Sequence, residues 1–434
     1  MLKVWFEIAL WIRVLAGMII GVIVGMLWGE GATNIAWLGD AFIGLIRAIV
    51  PLLVFVTLVS GVTAMGDPSK LGSLGVKTLA LYMLTTLVAI TIGLSLAAVL
   101  QPGAGVDMSR AVPTALQEQV ALSERLVSIV STNLIAALSD NNILPIIFFA
   151  LLIGVALLML GEKGRPVSDF MDVGSAIMLR ITHWIMEIAP FGVLALIARV
   201  VGELGIGGLV PAVVLAITVL SACILHLVIM HGFVIMRLML KLSPLNFFRG
   251  ARDAMLVAFS TSSSAATLPV SISVAEENLG VKPVVASTVL PLGATINMDG
   301  TALYVGIVSV FAAQVFGIDL TLTDYFLMAG ITTLVSIGTA AVPSASLFLI
   351  AAVMQAIGMS PEQIALTVGF VFAVDRPLDM TRTVVNVTGD LSVSTTVANW
   401  EDEFDRDIFN RPVKLISSSP VEPEVHGAGE RAGE

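Results

Sequence analysis

The chain has 434 residues, 57% of them hydrophobic and only 12% charged, with a net charge of −10. A soluble chain carries about a quarter charged residues, so this composition excludes an ordinary water-soluble fold. The acidity says little about partners, because residues 401–434 hold nine acids and four bases and so supply half of the imbalance. The single cysteine, Cys223, lies in an apolar run and has no partner for an intrachain disulfide.

Apolar runs of ~20 residues, enough to cross a bilayer as a helix, recur along the chain. The ~10-residue alternating segments of a membrane β-barrel are missing. The fold class is therefore an all-α polytopic membrane protein. Spans are expected near 7–29, 36–64, 76–100, 127–160, 174–200 and 208–238, with Met1–Gly29 read as a first spanning helix, not a cleavable signal. Pro51 and Pro190 mark kinks inside the second and fifth spans. Nine bases, from Lys3 to Arg252, fall at alternate ends, against Arg110, Arg125 and Arg199 at the others. This bias places the N-terminus inside. The polar loop 101–126 is then extracellular, and the Ser/Pro/Glu/Gly-rich stretch from Ser417 reads as disordered.

Beyond residue 250 the pattern changes. Ala251–Val274 contains STSSSAATLPVS, and Ser336–Ser346 contains SIGTAAVPSAS, each flanked by apolar arms too short to span. Polar backbone at membrane depth is tolerated where it is buried or lines a cavity, so each reads as a re-entrant hairpin. Their tips, SAATLP and TAAVP, are alike, and each hairpin precedes a span with a polar interruption. Hairpin–helix, hairpin–helix is the pattern of an inverted repeat.

The first interruption is Asn297-Met298-Asp299-Gly300-Thr301. Glycines at 293 and 300 permit unwinding, which frees carbonyls as cation ligands. A kinked helix with a buried, hydrogen-bonded Asp is the alternative. The second interruption is the stripe Asp375, Asp379, Arg382, Asn386 and Asp390, spaced 4, 3, 4 and 4. These residues share roughly an 80° arc of one helix. Ionisable residues at membrane depth default to function; a salt-bridge ladder that only fixes packing is the alternative. Oxygen-rich sites with one or two carboxylates suit Na⁺, whereas imidazole or thiolate would point to zinc. Tyr82, Thr85 and Thr86 form a small polar face on the third span, as consistent with helix packing as with a site. His183, His226, His231 and His426 are expected outside the polar core. Serines 260, 262, 263 and 264 belong to no catalytic motif and suit hydrogen bonding to a ligand, with helix N-termini favouring an anion.

The serine-rich hairpin, NMDGT, second hairpin and D-x-x-R-T-x-x-N-x-x-G-D occur here in order. Together they resemble the glutamate transporter family, over about residues 5–405. The resemblance implies eight transmembrane helices, two re-entrant hairpins, a homotrimer and an elevator motion. It assigns 1–240 mainly to scaffold helices, with those near 76–100 and 208–238 joining the transport core of 241–405, and 406–434 to a tail. It implies that Arg382 holds the substrate side-chain carboxylate and Asp379 its ammonium. Asn386, Thr301, Thr383, Ser264, Ser346 and the backbone near Val342 match the remaining substrate contacts. Asp390, Asn386, Asn297 and Gly293 resemble one sodium site. Asp299, Asn297, Tyr82, Thr85 and Thr86 resemble another. Thr295, Met298, Ser336, Ile337 and Thr339 resemble a third. Family members usually place a second arginine at the positions of Ser262 or Met380; here Arg376, one turn before Asp379, is expected to take over.

The expected function is Na⁺-coupled symport of L-aspartate or L-glutamate across a bacterial inner membrane, with both termini cytoplasmic and no nucleic-acid partner. Na⁺ is expected as coupling ion, not as a tightly bound cofactor. A proton-coupled C4-dicarboxylate carrier of the same fold, an ion channel and a membrane enzyme are the alternatives, the last disfavoured by the missing catalytic motifs.

Overall fold

The computed structural model describes residues 8, 10–64, 68–106, 133–140, 142–336 and 346–413. Among them the regular elements are helical, and Val281 and Phe404 form an isolated antiparallel bridge. Five helical runs are long and apolar enough to cross a membrane, or six if a bent pair counts as one. The run Ile12–Ala64 contains both α1 (Leu10–Trp28) and α2 (Ala36–Ala64), separated by a 3₁₀ turn, Gly29–Ile35. Gly29, with φ of +57°, ends α1 in a conformation side chains resist. α2 continues through Pro51 as one helix.

α3 (Pro68–Leu100) breaks at Gly72, close to the start expected from sequence. The span expected at 127–160 is two pieces in the described part, α4 (Leu134–Ser139) and α5 (Ile143–Leu160). The reason lies in the polar run Ser139-Asp140-Asn141-Asn142, a turn signal that overrides the apolar flanks. α6 (Arg165–Glu187) and α7 (Ala189–Leu204) meet at a 51° bend beside Pro190, which has no N–H to continue the ladder. α6 starts nine residues before the expected span. α1 lies against α7 through Gly17, Gly21 and Gly25, where a side chain would collide with the backbone of Pro190, Leu194 and Ala198. Small residues at this spacing let two helices approach closely without a hydrophobic driving force. A partly buried ion pair, Arg13 Nη1 to Glu187 Oε2 at 2.6 Å, ties α1 to α6.

α8 (Val210–His226) passes directly into a π-helical run, Leu227–Met239. Next comes a helical hairpin, α9 (Pro244–Thr261) and α10 (Ser264–Glu277), turning at Ser262 in the left-handed region with φ of 52°. α11 (Pro283–Ile296) and α12 (Asp299–Val315) are halves of one broken helix, unwound at Asn297 and Met298. α13 (Leu322–Ser336) and α14 (Ser346–Ala356) pack together as a second pair, and their connection lies outside the described residues. α15 (Pro361–Trp400) runs for 40 residues behind a capping box of Ser360 and Gln363, and the short α16 (Arg406–Asn410) follows.

Every residue of α12 except Gln314 is buried. α3, α8, α13, α14 and α15 all pack against it, so the broken helix is the axis of the second half of the chain. Large apolar side chains of α1, α5 and α6, such as Met26, Met159 and Phe170, face outward. That is the surface a lipid-immersed helix presents.

Candidate functional site

The polar stripe of α15 faces inward and meets the break between α11 and α12. Asp375, Arg376, Asp379, Arg382, Thr383, Asn386 and Asp390 are all buried. Arg382 Nη2 donates to Asp379 Oδ1 at 2.8 Å and to Asp375 Oδ1 at 2.9 Å. Its guanidinium carbon sits 3.7 Å from the centre of the Tyr304 ring, and the Tyr304 hydroxyl donates to Asp375 at 2.9 Å. A buried arginine needs such pairing and stacking to offset its lost hydration. Even so, Arg382 Nε and Nη1 have no hydrogen-bond partner among the described residues. Arg376 Nη1 lies 3.2 Å from Asp379 Oδ2, and its Nη2 lies 3.4 Å from Ser262 Oγ at the first hairpin tip.

Below the arginines, Asn386 Oδ1 accepts from the Gly300 N–H at 2.8 Å, and its amide nitrogen lies 3.2 Å from Met298 Sδ. A side chain on Gly300 would strike the Arg382 backbone, so the missing Cβ lets α12 cross α15 here. Thr383 donates to its own helix at Asp379 O, 2.8 Å. Thr301 is buried in the first turn of α12, and Ser264 and Ser346 are buried at the starts of α10 and α14. The Ser346 hydroxyl has no partner among the described residues. Val342 lies outside them.

Two of the expected cation sets also assemble. Asn297 Nδ2 donates to Asp390 Oδ1 at 3.0 Å. Gly293 lies flat against Asp390 Oδ1 and the Tyr82 hydroxyl, where a Cβ would collide with both. Thr86 donates to Asp299 Oδ1 at 2.7 Å, and Thr85 Oγ1 lies 3.3 Å from both Asp299 Oδ1 and Asn297 Oδ1. Tyr82 donates away from this cluster, to Val289 O at 3.0 Å. Of the third set, Thr295 and Ser336 donate to their own helices, to Leu292 O and Thr333 O. Ile337 and Thr339 lie outside the described residues.

The histidines require a correction. His183 is exposed, in keeping with its expected place, and His426 lies outside the described residues. His226 and His231, expected away from the polar core, are instead fully buried against Asp299, at 3.2 and 3.7 Å from Oδ2. Five residues apart, they would point some 140° away from each other on an α-helix. The π-helical run that follows His226 adds residues to each turn and swings His231 back toward it. No sequence pattern reports a π-helix, so this pair was hidden. Tyr304 was missed too, although a lone tyrosine in the apolar helix after NMDGT was a usable signal.

An all-helical membrane bundle whose charged groups line a broken helix between two helical pairs defines a membrane transporter. Residues 10–400 match the sodium:dicarboxylate symporter family, and the chain belongs to that family. It is 34% identical over 422 residues to the proton/sodium-glutamate symport protein of Geobacillus stearothermophilus, covering 94% of this chain and 98% of that protein. It is 34% identical over 415 residues to the proton/glutamate-aspartate symporter of Escherichia coli, with 91% and 93% covered. The C4-dicarboxylate transport protein of Bacillus subtilis is 33% identical over 405 residues, with 91% and 94% covered. The chain is thus a symporter and not an enzyme, in line with the resemblance drawn from the motifs.

Proposed function

We propose that this protein takes up L-aspartate or L-glutamate together with Na⁺. The observation that carries this reading is the Asp379–Arg382 pair, one turn apart and buried, with two guanidinium nitrogens still unpartnered. An acidic amino acid brings a carboxylate for Arg382 and an ammonium for Asp379, so it replaces each partner's charge as it separates them. A planar fork with free donors suits a carboxylate. A C4-dicarboxylate has no ammonium to offer Asp379, which would keep only its Arg376 contact once Arg382 turned to the substrate, and an under-paired buried carboxylate is costly. Thr301, Thr383, Asn386, Ser264 and Ser346, with the backbone near Val342, complete the substrate contacts in this reading.

Na⁺ would be held by Asp390, Asn386, Asn297 and Gly293, by Asp299, Asn297, Tyr82, Thr85 and Thr86, and by Thr295, Met298, Ser336, Ile337 and Thr339. Carboxylate, amide and carbonyl oxygens are the donors a hard monovalent cation prefers. The packing of α3 and α8 onto α12 and α15 supports a transport core built from those helices and residues 241–405. In this reading that core moves as an elevator within a homotrimer, from a chain with both termini in the cytoplasm of a bacterial inner membrane. Relatives named for C4-dicarboxylates keep a proton-coupled dicarboxylate carrier as the second reading. Reconstituted uptake of labelled aspartate, with and without a sodium gradient and against succinate, separates them. Uptake indifferent to Na⁺, or succinate outcompeting aspartate, overturns the first.

A further inference from the structure

His226 and His231 belong to neither the substrate contacts nor the sodium sets. Both are fully buried, their rings meeting edge to face with centroids 4.8 Å apart. One ring nitrogen of His231 is engaged and the other is not. The Ser392 hydroxyl has Gly389 O as an acceptor at 3.0 Å. With its proton there, it accepts from His231 Nδ1 at 2.7 Å. That arrangement makes His231 Nε2 a lone pair, buried and without a hydrogen-bond partner among the described residues. It lies 3.7 Å from Asp299 Oδ2, the oxygen to which His226 Nε2 donates at 3.2 Å, with His226 Nδ1 left to take that proton when a metal binds. A buried lone pair that faces a carboxylate oxygen favours a cation between them.

We propose that His226 Nε2, His231 Nε2 and Asp299 Oδ2 form a binding site for a borderline divalent metal ion of the Zn²⁺ or Co²⁺ kind. The three ligand atoms lie within 4.8 Å of one another. Around a tetrahedral ion with bonds of about 2.0–2.2 Å, ligand atoms sit roughly 3.3–3.6 Å apart. The two carboxylate distances, 3.2 and 3.7 Å, bracket that range. Two imidazoles and one carboxylate prefer such an ion to a hard monovalent one. Ser392 acts as a positioning residue: by taking the Nδ1 proton it holds His231 in the tautomer and orientation a metal needs. The site goes beyond the proposed transport activity but shares Asp299 with one of its sodium sets. The threonines meet Asp299 Oδ1 and the histidines Oδ2, so the two ions compete through charge on one carboxylate.

The test is Co²⁺ titration of the purified full-length protein in Na⁺-free buffer, read by visible ligand-field absorption and equilibrium dialysis. The expected result is one Co²⁺ per chain with the intense bands of tetrahedral coordination, displaced by Zn²⁺. His226→Ala and His231→Ala should abolish the bands. Ser392→Ala keeps all three ligands and should weaken binding about 10- to 100-fold; it guards against a histidine variant that fails to fold. Absence of the bands in the unaltered protein overturns the proposal, as do bands that survive both histidine substitutions. Displacement of Co²⁺ by Na⁺ supports the shared carboxylate. Bands that depend on both histidines but ignore Na⁺ uphold the metal site and count against the sodium reading of Asp299 alone.

Discussion

Arg376 reaches Asp379 from one turn earlier on the same helix, Nη1 to Oδ2 at 3.2 Å, and its other terminal nitrogen touches the first hairpin at Ser262. Asp379 is thereby held between two arginines, Arg376 on one oxygen and Arg382 on the other. Arg376→Met should weaken aspartate affinity by roughly 1.5–3 kcal/mol, the worth of hydrogen bonds to charged groups. Adding Ser262→Arg should restore most of it, because the new guanidinium would start from the position Arg376 now touches. Binding measured by isothermal titration checks both; a double variant no better than Arg376→Met refutes the compensation.

Arg382→Cys removes the guanidinium that is to meet the substrate's second carboxylate. Acidic amino acid uptake should be lost, at a cost of about 2–5 kcal/mol for leaving a buried charge unpaired. Uptake of serine or alanine should appear. If the variant binds aspartate within a few-fold of the original, Arg382 is not the clamp.

Asp390→Asn keeps the shape of the side chain beside Asn297 and removes its charge. The sodium concentration for half-maximal uptake should rise strongly while thermal unfolding moves little. An unchanged sodium dependence removes Asp390 from the cation site.

Gly293→Ala tests the same place by volume. The added methyl would meet Asp390 Oδ1 and the Tyr82 hydroxyl together. Overpacking of this kind typically costs about 1–3 kcal/mol. A lowered Tm with weakened sodium dependence is expected, and a variant that matches the original on both measures contradicts the packing described here.

The stripe on α15 was legible because its spacing alone puts Asp375 through Asp390 on one helix face, and charge at membrane depth has few innocent explanations. The break at Asn297–Met298 was legible from its glycines and polar run. Partners from distant segments were not. That Tyr304 lies under Arg382 depends on how α12 crosses α15, which no local pattern encodes. The histidine pair escaped for a different reason: periodicity assumes 3.6 residues per turn, and the run after His226 does not keep it. The break between α4 and α5 was missed because apolar flanks outweighed a short polar cluster in a window of spanning length.

Several hydroxyls around the broken helix commit their protons to their own helices. Thr85 directs its nearest donation to Tyr82 O at 3.1 Å, Thr295 to Leu292 O at 3.0 Å and Ser336 to Thr333 O at 2.9 Å, each within its own helix. A hydroxyl is amphoteric in water, but one whose proton is returned to its own backbone offers the interior only lone pairs. The helices thus act as proton sinks that convert neutral alcohols into one-way oxygen donors, a dry imitation of a hydration shell. In the proposed sodium-coupled reading, an ion stripped of water would meet lone pairs whose protons are already committed elsewhere, and would lose little to reorientation on arrival.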